Sequence, residues 1–512
     1  MTMAQRPTFL RRVTGNVPRR VDAPRGGLRT SVDRGATAAV IGGGIAGVTA
    51  ALTLAERGVA VTLLERGNRL GGRLTTWPSR LRDGTSQVVE HGFHGFFRQY
   101  YNWRNVLRRI DPELGFLRPL ARYPVVSRQW PEEEFAGLSG VPPANLLALL
   151  VRSPSLRLRD LRRMNGRAAL PMLAFDRQET YRRFDSVSAA TFLDALALPP
   201  RARAMLFDVF AHSFFNLEAE MSAAEMLMQF HFFFLRNPEG LDMDAPDNDY
   251  ESAIWAPLAE QLAALGVDVR TSSPVDGIEP GWKVSVAGGA RLSADHVVLA
   301  VDPPAARQIV AASPAVARMS PQTAERIAAL PTAPPYAVDR IWLDGDVAPE
   351  RATFTSISGE ATLDSVTLYH RAEREPARWA ARTGGSVLEL HAYAAPRDTD
   401  AATLAGRMRA ELNAIWPETR GLTVLDSDHR VGHDAAAFGL GGDATRPATR
   451  TDLAGLYLAG DWVRMPFACA LMERAAASGL LAANAILEQH AVRPAPVLSV
   501  PPLGFLARGD SA

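Results

Sequence analysis

One cysteine, one lysine and no long apolar run set the first limits on this chain of 512 residues. With Cys469 alone, no intramolecular disulfide, zinc–thiolate site or cysteine-held iron–sulfur cluster can form within one chain. No stretch approaches the roughly 18 to 20 consecutive apolar residues that span a bilayer. The N-terminus carries no apolar signal-peptide core, so the expected location is the cytoplasm, in solution or peripheral to a membrane. The 56 basic and 55 acidic residues nearly cancel to a formal charge of +1, and no global field points to nucleic acid. Lys283 is the only lysine. That skew toward Arg, with abundant Ala, reads as codon usage of a GC-rich genome, and arginine-rich stretches carry less weight as binding signals. A hydrophobic content of 47% and a charged content of 22% describe an ordinary globular chain, with room for roughly two or three domain-sized units.

What is present is organised around residues 37–74. A short apolar run at residues 38–41 meets Gly42, Gly44 and Gly47, which have the G-x-G-x-x-G spacing, and an Ala- and Leu-rich helical pattern follows. Gly42 suits the tight turn, Gly44 lets backbone approach a pyrophosphate, and Gly47 lets helix pack closely on strand. Ile45 and Ala46 lie between them at the helix N-terminus, where free N–H groups and a positive dipole end face the phosphates. A second apolar run ends on Glu65, followed by Arg66. An acid about 20 residues on is placed to accept from ribose hydroxyls. Gly71, Gly72 and Arg73 add a second glycine turn. That extension resembles the flavoprotein version of the unit in the amine oxidase and carotene desaturase superfamily, and it favours FAD over NAD.

Further along, Glu90, His91, Gly92, Phe93, His94 and Gly95 form a loop of acid, imidazoles, glycines and aromatics. The loop suggests backbone passing close to a flavin and a substrate cavity. His91 and His94 are half a metal site without further ligands, and no metal is expected. Residues 145–151 (NLLALLV), followed by Arg152, Arg157, Arg159, Arg162 and Arg163, read either as a membrane-interface segment or as a buried helix beside a solvated basic one. Eight phenylalanines between Phe207 and Phe234 are either core or the lining of a long apolar pocket. Residues 257–301 return to an α/β pattern with a small meander. Near the C-terminus, a buried strand runs into Gly460 and Asp461 and then into an Ala-rich helix containing Met472. There Asp461 suits a ribityl hydroxyl, and the helix N-terminus suits the flavin edge that gains negative charge on reduction.

The expected fold is α/β: a Rossmann-like FAD-binding domain assembled from discontinuous segments, plus an α+β substrate domain with a helical membrane or substrate region. Its FAD-binding parts are residues 36–110, 249–315 and 441–490. Residues 111–248 form the helical region and 316–440 the second part of the substrate domain. Residues 1–35, with eight Arg, are expected as a disordered leader or a lipid-facing polybasic arm, and residues 491–512 as an irregular tail.

Residues 90–104 (EHGFHGFFRQYYNWR) and 458–485, with FDVFAHSFF at 207–215 and the stretch 225–246, resemble the carotenoid ring desaturase/methyltransferases of the isorenieratene-synthase type. The likeness covers roughly residues 36 to 490. It implies an FAD enzyme that aromatises cyclic carotenoid end groups; contact with a membrane surface is expected from residues 145–163 and the basic leader. Gly42, Gly44, Gly47, Glu65, Arg73, Gly460 and Asp461 match the cofactor motifs, and Val275 matches the position whose backbone flanks the adenine. His91, Gly92 and Met472 join the expected cofactor shell. No catalytic acid or base follows from the resemblance, so His94 and Glu90 are chosen from chemistry. An acyclic carotene desaturase and a non-enzymatic flavin-binding scaffold are the other readings.

Overall fold

In the computed structural model all residues are described except 1–18, 21–27, 33–34, 136–143, 237–238, 240 and 508–512. The strand Thr37–Ile41 is apolar on both faces because it lies at the centre of a parallel sheet covered on both sides. The five strands run in the order Asp268–Arg270, Ala60–Leu64, Thr37–Ile41, His296–Leu299, Leu456–Leu458. All neighbours are parallel, so three well-separated stretches of chain build one dinucleotide-type sheet. The helix Ile45–Ala55 crosses over between the first two of these strands in sequence. Against it lies the C-terminal helix Leu471–Gln489. A Cβ on Gly479 would sit 2.3 Å from the Ala46 carbonyl oxygen, so the two helices touch backbone to backbone. The predicted meander is present as Val275–Glu279, Lys283–Val286 and Ala290–Ser293.

A second sheet of six strands carries the substrate side. Its order is Val424–Gly432, Tyr336–Leu343, Ser386–Ala392, Ser365–Leu368, Phe354–Ile357, Val125–Val126. It is antiparallel except for the last pair. Every residue of Ser386–Ala392 is buried, including Glu389 and His391. Short helices such as Arg177–Phe184, Ala189–Ala195 and Ala223–Phe230 make up the predicted helical region. Two π-helical turns, Ala204–Asp208 and His231–Leu235, interrupt it and re-aim its phenylalanines.

One expectation at the chain ends is corrected. Arg19–Arg20 pairs with Leu498–Ser499, and Arg29 Nη2 donates to the His490 carbonyl at 2.7 Å, so these parts of the leader are ordered. The rest of the leader lies largely outside the described residues. The tail is irregular in backbone but packed: Val492, Val497 and Val500 are buried, and His231 Nε2 lies 2.8 Å from the Pro501 carbonyl oxygen. Pro and β-branched residues kept it from reading as an element, but its valines join the main hydrophobic core.

Candidate functional site

The glycines of the first motif have different tasks. Gly42 has φ +108°, and a Cβ there would lie 2.4 Å from the Ala300 carbonyl oxygen. A Cβ on Gly47 would lie 1.9 Å from the Gly42 carbonyl oxygen, the close helix–strand contact that the spacing predicts. Gly44 is the open one: its nearest non-neighbouring atom is the Gly72 Cα at 3.8 Å, and both glycines line a cavity of about 1070 Å³. Ile45, Ala46, Arg66, Gly92, Val275 and Met472 line the same cavity. Glu65 serves the loop as well as facing the cavity. Its Oε2 accepts from Gly43 N–H and its Oε1 from Gly67 N–H, both at 2.7 Å, and each oxygen keeps a lone pair for a ribose hydroxyl. Arg66 reaches Asp302 at 3.1 Å across the sheet.

The two distant motifs meet at Arg73 and Asp461, with Nη2 and Oδ1 2.7 Å apart. Burial works against the guanidinium charge, but Asp461 and Asp434 outweigh it and raise the Arg73 pKa. Gly460 lines the cavity, and its own packing also excludes a side chain. Its Cβ would lie 2.6 Å from the Trp462 indole nitrogen, while its N–H donates to Ser478 Oγ at 2.8 Å. The C-terminal helix begins at the cavity wall with Leu471, held at φ +51°. The first-turn acid Glu473 turns away from the cavity. It accepts from the Asn102 and Trp103 N–H groups and so caps the helix Tyr101–Leu107.

The same cavity continues past the glycine loop between aromatic walls. Phe210, Phe214, Phe215 and Phe233 line it, whereas Phe207, Phe230, Phe232 and Phe234 pack into the core. The stripe is therefore part wall and part core. Phe215, at φ +60°, stands edge-on to Tyr336 and Tyr393, with centroids 5.2 and 5.5 Å away. His91 lies against Tyr336, whose hydroxyl donates to Asp434 at 2.8 Å. His94 faces the cavity with Nδ1 2.8 Å from the Gly92 carbonyl oxygen, which fixes the proton on Nδ1 and leaves Nε2 bare. Burial pushes His94 down to about 4. The two imidazoles have separate partners, and among the described residues no cluster of three or more His, Cys, Asp or Glu could hold a metal ion.

Glu90, expected as a catalytic group, is turned into the interior and does not line the cavity. Its Oε1 accepts from Tyr250 N–H at 2.9 Å, and its Oε2 lies 3.4 Å from Arg340. Burial pushes its carboxyl up to about 7 against the pull of Arg340. Sequence reasoning also missed Arg340, Glu389, His391, Tyr336 and Tyr393. The available signal was SVLELHA at 386–392, where charged and polar residues alternate inside an otherwise apolar strand.

These features fit FAD. The space above Gly44, the helix N-termini at Ile45 and Leu471, and the paired Arg73 and Asp461 match the needs of a diphosphate, a ribityl chain and a flavin edge. The family of flavin-containing amine oxidoreductases matches residues 45–487. The chain belongs to that family. As a member of the family it is an FAD-dependent oxidoreductase. It is 44% identical to a carotenoid phi-ring synthase of Streptomyces griseus, with 94% of each chain covered. It is 28% identical to a carotenoid phi-ring synthase of Chlorobaculum tepidum, covering 92% of this chain and 91% of that one. A zeta-carotene desaturase of Synechocystis is 23% identical over 88% of this chain and 97% of that one. Among solved structures, a putrescine oxidase redesigned in cofactor binding superposes with a TM-score of 0.63 at 18% identity. That match covers 89% of this chain and 99% of the oxidase, and shows the shared fold.

Proposed function

We propose that this oxidoreductase dehydrogenates the β-ionone end groups of carotenoids with a 1,2-methyl shift, giving aromatic rings. The observation that carries the reading is the single cavity that joins the nucleotide-binding glycines to walls of Phe210, Phe214, Phe215, Tyr336 and Tyr393. The near-full-length likeness to two phi-ring synthases supports it. A β-ionone ring has a quaternary gem-dimethyl carbon, so dehydrogenation alone does not aromatise it. A first loss of hydride and proton gives a ring diene. Loss of a second hydride, from the carbon next to the gem-dimethyl carbon, leaves an allylic cation, one methyl group moves onto that carbon, and proton loss from it completes the aromatic ring. Bound FAD supplies the hydride acceptor for each oxidation. The chain's own residues hold the ring, keep water from the cation and take the protons. The faces of Phe215, Tyr336 and Tyr393 suit an apolar ring and stabilise positive charge on it. The imidazoles on the wall, His94 and His391, are the bases at hand.

Peripheral attachment to the cytoplasmic face of a membrane belongs to the same reading, because the substrate dissolves in lipid. Val151, Leu158, Leu161 and Leu170 are exposed large apolar side chains within one short region, beside Arg159, Arg162 and Arg163. Among the described residues no helix is long and apolar enough to cross a membrane. Asn145 lies at the start of the helix Ala144–Arg152, and only its backbone is described.

Expression in a host that makes β-carotene tests the reaction. Carotenoids with aromatic, methyl-shifted end groups are the expected products. Unaltered β-carotene, together with new double bonds in a supplied acyclic carotene, would replace this reading with that of an acyclic desaturase, which the likeness to a zeta-carotene desaturase favours.

A further inference from the structure

Sheet register assembles a chain of proton-carrying groups behind the aromatic wall. Across the strands, His391 is paired with Val338 and Ser365, and Glu389 with Arg340 and Thr367. Glu389 and His391, two residues apart on one strand, share a face. His391 Nε2 lies 2.7 Å from Glu389 Oε1. That carboxylate is held on every side: Phe93 N–H donates to Oε1 at 2.8 Å, and Arg340 Nε donates to Oε2 at 2.9 Å. Burial alone would raise the Glu389 carboxyl, but Arg340 and His391 outweigh it and hold it at about 2. An ionised Glu389 accepts from Nε2–H, which directs the other nitrogen, Nδ1, toward hydroxyls. Nδ1 lies 3.2 Å from Ser365 Oγ and 3.4 Å from the Tyr393 hydroxyl, which are themselves 2.9 Å apart. His391 and Tyr393 line the cavity. A Cβ on Gly92 would sit 3.3 Å from His391 Nε2, so the glycine loop closes over the dyad.

We propose that the His391–Glu389 dyad, reached directly or through Tyr393, is the base that takes the protons lost by the substrate ring. The inference rests on the aromatisation reading above. In each step a ring C–H bond breaks, its electron pair becomes the new ring double bond, and the proton goes to His391 Nδ1. When Tyr393 relays it, the phenol oxygen takes the ring proton as its own O–H proton moves to Nδ1. The imidazolium then lies beside the Glu389 carboxylate, as in other carboxylate–imidazole–hydroxyl chains. Among the described residues no carboxylate is hydrogen-bonded to His94, which donates Nδ1–H to a carbonyl instead. The charged and titratable groups around His391 are Glu389 on its own strand, Tyr393 just past the strand end, and Arg340 on the neighbouring strand. Asp364, which faces His212, lies beside the next strand; Glu90 ends the strand Ser86–Glu90, and His91 and His94 lie on the loop that follows it.

The test compares wild-type holoenzyme with His391→Gln and Tyr393→Phe, using β-carotene in liposomes across pH, with flavin content and melting temperature measured alongside. With flavin retained, His391→Gln is expected to lower aromatic product by ~10²–10⁴-fold. The acidic limb of its residual pH–rate profile should be gone. Tyr393→Phe is expected to slow product while keeping the acidic limb. A His391→Gln enzyme with full rate, or with a lowered rate and an unchanged acidic limb, overturns the dyad. A wild-type enzyme that binds flavin but forms no aromatic ring removes the aromatisation reading, and the inference with it.

Discussion

Arg73 Nη2 lies 2.7 Å from Asp461 Oδ1, and this ion pair joins the second glycine turn to the motif that precedes the C-terminal helix. Both residues line the cavity, so the pair closes the cofactor site as well as the fold. Asp461→Ala leaves Arg73 without its nearest counter-charge. Flavin retention is expected to fall about tenfold or more, equivalent to ~1.4 kcal/mol. Titration of released FAD against protein checks this; unchanged retention would detach the pair from cofactor binding.

Gly44→Val and Gly47→Ala are expected to fail in different ways. The Gly44 side faces open cavity, so Gly44→Val folds with a near-normal melting temperature and comes out colourless. At Gly47 the new Cβ meets the Gly42 carbonyl at 1.9 Å, so Gly47→Ala loses stability whether or not flavin is present. Melting curves and flavin absorbance, read together, separate the two.

Burial pushes Glu473 up to about 8 from an ordinary value of 4.5, with the N–H groups of Trp103 and Asn102 pulling the other way. The folded chain therefore keeps a proton that the unfolded chain gives up. Its contribution to stability is full below about pH 4.5 and is lost as pH rises through about 8. Glu473→Gln is expected to flatten the fall in stability between these limits by at most ~1.4 kcal/mol per pH unit. Denaturant titrations at pH 5, 6.5 and 8 measure it; a slope equal to that of wild type contradicts it.

Liposome flotation reads the membrane surface. Wild-type protein is expected to bind anionic vesicles at low salt and to be partly released as salt screens the arginines over ~10 Å at 0.1 M. Val151→Asp with Leu158→Asp should abolish binding and leave the melting temperature unchanged, because both side chains are exposed. Flotation of the double variant equal to wild type would remove this region from the contact.

The nucleotide half was legible because its constraints are local. Gly42, Gly44, Gly47 and Glu65 sit at fixed offsets, and the strands ending at Ile41 and Leu64 are apolar runs bounded by turns. The two motifs could be assigned to one site, but the Arg73–Asp461 contact depends on strand order. Glu90 shows where composition misleads. An acid beside two histidines looked catalytic, yet strand alternation turns it toward Arg340 while the loop residues face the cavity. The Glu389–His391 dyad was out of reach for the opposite reason. Its partners, Arg340 and Ser365, come from neighbouring strands, and only the register of an antiparallel sheet brings them together.

The order of strands in the parallel sheet has a consequence for synthesis. Its outer strand Leu456–Leu458 and the helix Leu471–Gln489 are translated long after the glycine turn they complete. Until then, His296–Leu299 has an unpaired edge, and the side of Ile45–Ala55 that meets the C-terminal helix is uncovered. At ~5–20 residues per second the nascent chain spends many seconds in that state. Flavin capture therefore follows translation of the C-terminal motif, and chains stalled before it are natural clients for chaperones that shield strand edges.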